Sequence, residues 1–404
     1  MENRRIPDVV IRESARSSLR NLLNWIRGGK EKSNFSIDAE LHTVPSDLLN
    51  ALAPVPDWGE AAESFIQVLE NSNARSGASL TQPVLIGPPG SGTSHILELV
   101  ALKEGYTVLA SPSPSDILEG GLSWLKNHPF EQEMIYVIPE LEKFYFRHHH
   151  GLRLIRALAE EIKEKEIKVI VGCDSWAWAY LTQVVGLYVC IGPYLTLDAF
   201  DGILLSIFFT RLAGITCQSG IVFRSSDTGT NIMVSGDAQD PCSAERGMNG
   251  NVEYIEAPEI LRLIASRSHG IPLVAWAMWR QCLEMASDEA IDESSLQNAT
   301  PHKPSTIWVS PWPKVALPKL TSPVDNRELI ILHTLLIHSG LPMPILSELL
   351  PLSEIERNSL MERLNSAGLV KLDDKEWRVS LLGYPSVRDN LAAEGYLVDK
   401  IYRS

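Results

Sequence analysis

Apolar residues in this chain fall into short runs set apart by amphipathic stretches. Residues 83–86, Pro-Val-Leu-Ile, are apolar on both faces and predict a strand covered on both sides. Residues 107–110, 134–138 and 168–171 repeat the pattern. Between these runs, 96–103, 118–126 and 151–165 carry apolar residues at helical spacing, and 58–69 does so before the first strand. Strands separated by helices of this length predict an α/β fold, a parallel sheet with helices on both faces.

The pattern changes further along. Residues 175–197 hold no charge over 23 positions, long enough for a membrane span. Thr182, Gln183, Gly186 and the Gly192-Pro193 pair favour a buried helix followed by a buried strand instead. Val222-Phe223 and Ile232-Met233-Val234 predict a hairpin around residues 226–229, followed by a polar loop over 235–251. Helices are predicted over 257–266 and 272–285, joined by the Ser268-His269-Gly270 turn, as a helical lid. Six prolines in 298–324 predict an extended linker. Helices over 326–338, 344–350 and 353–367, then strands at 369–371 and 377–379 around Asp373-Asp374-Lys375, have the layout of a winged helix. The expected division is 1–50 (basic amphipathic helix and linker), 51–215 (α/β), 216–297 (hairpin insertion and lid), 298–324 (linker) and 325–404 (winged helix).

Composition narrows the function classes. With 404 residues, 45% hydrophobic and 21% charged, the chain can bury a large core, which excludes disordered and low-complexity proteins. Net charge is −14, so the bulk field repels phosphate backbones and nucleic acid is the disfavoured partner. The five cysteines are scattered with no CxxC pair, so neither a zinc site nor a disulfide framework is expected, and a cytoplasmic setting fits. Residues 1–32 run against the overall charge, with eight basic and four acidic side chains and Ile11, Leu19, Leu22, Leu23 and Ile26 at helical spacing. This segment predicts a helix packed on the protein, or docked on a partner or membrane surface.

The strongest chemical signal is Gly87-Pro88-Pro89-Gly90-Ser91-Gly92-Thr93-Ser94, set between a strand and a helix. In a phosphate-binding loop the glycines let successive backbone N–H groups face phosphate oxygens, and the helix start adds partial positive charge. Gly87 and Gly92 have the required separation, and Ser94 stands where a hydroxyl would hold Mg²⁺. Thr93 occupies the lysine position. Loss of that charge-assisted bond removes about 1.5–3 kcal/mol. In the strand 134–138 and its end, Pro139 takes the place of a Mg²⁺-organising Asp, while Glu140 keeps the position that polarises an attacking water. Both departures argue against productive hydrolysis.

Residues 87–94, 135–140 and 169–176 resemble the Walker A, Walker B and sensor-1 regions of AAA+ ATPases of the origin-recognition and STAND-like branches. Together with the lid around Gly270 and the winged helix, the resemblance spans roughly residues 55–395. It implies a P-loop sheet with ATP or ADP between sheet and lid, with participation of Mg²⁺ left open; neither zinc nor haem is expected. It also implies Asp174 or Ser175 as the sensor-1 polar residue, winged-helix contacts to other macromolecules, and a possible homo-oligomer. No sensor-2 arginine or arginine finger can be assigned. The favoured expectation is a degenerate, catalytically weak or inactive regulator or scaffold acting through protein contacts. An active ATPase using Ser94 and Glu140 with a cation from elsewhere, and a DNA-binding module, stay open. Residues 325–404 hold nine basic and twelve acidic groups, and Arg357 and Arg363 share their helix with Glu354, Glu356 and Glu362, which favours protein over DNA. His148-His149-His150 reads as a solvated cluster rather than a metal site, and Asp201 as a helix cap.

Overall fold

The computed structural model describes residues 40–76, 83–187, 194–214, 221–233, 257–286, 305–311, 317–321 and 323–399. The basic segment expected over residues 1–32 and the polar loop over 235–251 lie outside them. In chain order the strands are β1 (Leu41–Thr43), β2 (Val84–Gly87), β3 (Thr107–Val108), β4 (Ile135–Ile138), β5 (Lys168–Asp174) and β6 (Tyr194–Thr196). They continue as β7 (Ile221–Ser225), β8 (Leu283–Ala286), β9 (Ser305–Val309), β10 (Val370–Asp373) and β11 (Glu376–Val379).

Five of these form a wholly parallel sheet in the order β3-β4-β5-β2-β6. The chain leaves β2 for the far edge at β3, returns through β4 and β5, then crosses β2 to lay down β6. Strand order therefore reverses at β2, and the crevice beyond its carboxyl end is where such sheets hold ligands. Both faces are covered. Leu85, Val137 and Ile170 meet Ala62 and Phe65 of helix Gly59–Ser76 and Leu97 and Val100 of helix Thr93–Glu104. The alternate residues Val84, Ile86, Ile138 and Val171 meet the other face, where helix Arg153–Glu164 presents Leu154, Leu158 and Ile162 at four-residue spacing. The uncharged stretch after Asp174 forms the buried helix Ser175–Val184 as expected, but the strand that follows, β6, is not buried: it lies at the sheet's edge with Tyr194 and Thr196 exposed, since only one neighbour covers it. No helix among the described residues is long and apolar enough to cross a membrane.

Several elements differ from the sequence reading. The helix expected over 118–126 is two short helices, Pro114–Leu118 and Leu122–Asn127, parted by Gly120 and Gly121, both at positive φ. A Cβ at Gly121 would strike Leu154, so only glycine lets that turn approach the neighbouring helix. The helix expected to end at 285 stops at Cys282, and residues 283–286 turn into β8. Within the stretch read as linker, β9 joins a second sheet in the order β1-β8-β9-β7. Here β7 runs parallel to β9, and the hairpin expected from it closes on a single bridge, Arg224 to Asn231. Strand pairing across about 80 residues overrode a proline-rich composition.

At the C-terminus, helices Asn326–Ile337, Met343–Leu349 and Glu354–Ser366 precede an antiparallel β10–β11 ribbon. A further helix, Tyr384–Ala393, was not read from the sequence. This module packs into the same apolar core as the sheet. The Tyr145 hydroxyl donates to the Ile337 carbonyl, Trp176 Nε1 donates to the Tyr384 hydroxyl (3.0 Å), and Lys143 pairs with Glu376 (2.9 Å).

Candidate functional site

The loop at the end of β2 turns tightly around its glycines. Ser91 N–H donates to the Pro88 carbonyl (3.0 Å), and Gly90 and Gly92 sit at φ 87° and 84°, a region that favours glycine. Helix Thr93–Glu104 starts at once from Gly92 and has no side-chain cap. Its first amides are thus left for another acceptor, the arrangement that suits an anion. In contrast, Asp201 caps helix Gly202–Leu212 through the amides of Ile203 and Leu204, as expected of it.

The side chains of the loop do something different. Thr93 lies 9% exposed and shares a hydrogen bond with the Ser91 hydroxyl (2.9 Å), itself 2% exposed. Both hydroxyls fold over Gly87, where any Cβ would collide with them. The position that would carry a lysine therefore braces the loop from inside and offers no cation. Pro88 is buried, while Pro89 and Ser94 are half-buried. Gly90 lies under helix Pro272–Cys282: its carbonyl accepts from Leu273 N–H (3.1 Å), an amide at the start of that helix with no partner inside it. A Cβ on Gly90 would sit 3.1 Å from Leu381, 3.3 Å from Leu273 and 3.4 Å from Ile271. The Trp58 indole covers Gly92 so closely that a Cβ there would fall inside it.

Beside the loop, β5 ends at Asp174, in register with Gly87. Glu140 is half-buried and follows Pro139 at the end of β4. Glu142, two residues on, is buried and accepts from Asp174 N–H (3.0 Å). Burial, then the charge of Glu140, lifts its carboxyl from 4.5 to about 7. Burial, then Glu142, also holds the Asp174 carboxyl well above its ordinary range. Asp174 spends an oxygen capping helix Ser175–Val184 through Trp176 N–H (2.9 Å), and Ser175 donates to Asp399 (2.6 Å). The two sensor candidates are thus brought to the loop by the sheet, but the Asp174 carboxylate caps its own helix, its backbone N–H donates to Glu142, and the Ser175 hydroxyl bonds the C-terminal module.

Sequence reasoning missed three residues here. Glu142 follows Glu140 on a turn, a signal too common to use. Asp399 (2% exposed) and Arg388 (side chain 14% exposed) pair at 3.2 Å through the guanidinium Nε. Neither terminal nitrogen of Arg388 bonds to a described residue, so a half-buried cation with spare donors stands beside the Ser175–Asp399 contact. No local pattern in residues 384–399 announces it.

The remaining candidates resolve simply. His148 and His149 touch through ring nitrogens (3.0 Å), and the described residues contain no cluster of three or more histidines, cysteines or carboxylates placed to share one metal ion. Cys173 and Cys282 are buried free thiols. In the C-terminal module Arg357 is 7% exposed, and Arg363 is tied to Glu328 and Asp325.

No family model and no curated protein matches the chain. Among solved structures it is similar to the Thermotoga maritima RuvB Holliday junction branch migration motor, at 15% identity over 84% of this chain and 95% of that one, with a TM-score of 0.33. It is also similar to the Aeropyrum pernix ORC2 protein in its ADPNP-ADP complexes, at 13% identity over 89% and 96%, with a TM-score of 0.34.

Proposed function

We propose that this chain is a P-loop protein of the AAA+ type that binds ATP or ADP at residues 87–94, hydrolyses it weakly or not at all, and acts through protein contacts. The observation that carries the reading is the uncapped helix start behind a positive-φ glycine loop, placed where the strand order of a parallel sheet reverses. The backbone amides of Gly90 and of residues 92–94 would face the phosphates, while that of Ser91 is held by the Pro88 carbonyl. Ser94 would be the side-chain oxygen donor toward Mg²⁺, a thin set because Pro139 stands at the carboxylate position. Glu140 would polarise water, with Asp174 and Ser175 as sensors. Braced inward, Thr93 supports weak chemistry: nothing at that position would neutralise charge at the β- and γ-phosphates.

The C-terminal helices and ribbon would serve as a winged helix for protein recognition. Nucleic acid is disfavoured because Arg357 is buried and Arg363 is neutralised, which leaves that helix without free cations for phosphates. One observation favours the second reading, an ATPase with a borrowed cation: Arg388 has spare donors near the end of β5.

The test is thermal unfolding with ADP or ATP, with and without Mg²⁺. Ligand at one hundred times its Kd stabilises by about 2.7 kcal/mol, an upward shift of a few degrees. No shift at millimolar nucleotide would refute binding, and fast Mg²⁺-dependent phosphate release would replace the first reading by the second.

A further inference from the structure

The outer face of helix Glu354–Ser366 is acidic and tipped by one large apolar residue. Glu354, Asn358 and Glu362 follow one another at four-residue spacing, all exposed, with Ile355 alongside at 83% exposure. The cations that would balance this face are turned away. Arg357 is buried, Arg363 reaches back to Glu328 and Asp325, and Arg327 is shared between Asp325 and Glu356. Glu356 also closes a capping box with Ser353. Glu354 and Glu362 are left without a cation among the described residues.

We propose that this face is the docking surface for the chain's own basic segment, residues 1–32. That segment carries +4, while the rest of the chain carries −14 − 4 = −18. Its cations Arg16, Arg20 and Arg27 flank an apolar stripe of Leu19, Leu23 and Ile26, a pattern that can cover Ile355 while meeting Glu354 and Glu362. The thirteen residues from 27 to 40 span up to about 43 Å when extended, about twice the radius of gyration of about 21 Å for a folded chain of this size, so the tether can cross a large part of the surface. A single exposed ion pair contributes only about 0.2–1 kcal/mol, but a tethered segment works at an effective concentration near millimolar, where a few such pairs suffice.

The test uses the full-length protein. A zero-length carbodiimide should join Lys30 or Lys32 to Glu354 or Glu362. In an equal mixture of ¹⁵N-labelled and unlabelled protein these links should fall within one chain. They should be lost near 1 M salt, where the Debye length is about 3 Å. Amide exchange over residues 354–366 should quicken in Glu354→Lys/Glu362→Lys. It should slow again when Arg16→Glu, Arg20→Glu and Arg27→Glu are added, since the charges are then swapped. Three outcomes would overturn the proposal: links between differently labelled chains, exchange that ignores both reversals, or binding of the segment to anionic vesicles without change at 354–366.

Discussion

Replacing Glu142 by Gln measures the strain that the buried carboxyl pair puts on the carboxyl end of the sheet's inner strands. Glu142 is 5% exposed, and its carboxyl is raised from 4.5 to about 7, first by burial and then by Glu140. Between those two values the folded protein holds a proton that the unfolded chain has released. Folding is therefore penalised increasingly as pH rises from 4.5 to about 7, with the full penalty above it. At 1.36 kcal/mol per pH unit the interval from 4.5 to about 7 amounts to about 3 kcal/mol. Asp174 is raised in the same way, so the two carboxyls titrate as a pair, and removing one charge lets the other fall. Gln keeps an oxygen to accept Asp174 N–H. Glu142→Gln should match the parent protein near pH 4.5 and exceed its stability by up to about 3 kcal/mol at pH 8. Urea unfolding at several pH values, followed by tryptophan fluorescence, measures this. A difference that stays flat or shrinks as pH rises would refute the reasoning.

Other expectations follow from single contacts. Gly92→Ala must hold φ 84° and push on the Trp58 indole, which together cost about 2–5 kcal/mol; Trp58→Ala in the same chain should recover the packing part in denaturant titrations. Arg363→Ala strips the cation from Glu328, which is 2% exposed, and should destabilise the protein by about 1–3 kcal/mol while leaving duplex-DNA binding unchanged in a salt titration. Arg388→Met should shrink the ADP-induced melting shift, measured against its own ligand-free midpoint, if the borrowed-cation reading holds.

What the chain's local patterns determined was the α/β alternation, the glycine loop with Thr93 at the lysine position, the proline ahead of Glu140, and the Asp201 cap. These are fixed by residue type and short spacing: apolar runs, turn-forming glycines, and side chains that bond a neighbour's amide. Only the tertiary structure decided the β1-β8-β9-β7 sheet, because a strand such as 305–309 gains its stability from partners far away in sequence. The same holds for the closing of Leu273 and Leu381 on Gly90, and for the meeting of Glu142, Asp174, Asp399 and Arg388. Burial and charge partners set what those groups do, and both are properties of the packed chain, absent from any window of its sequence.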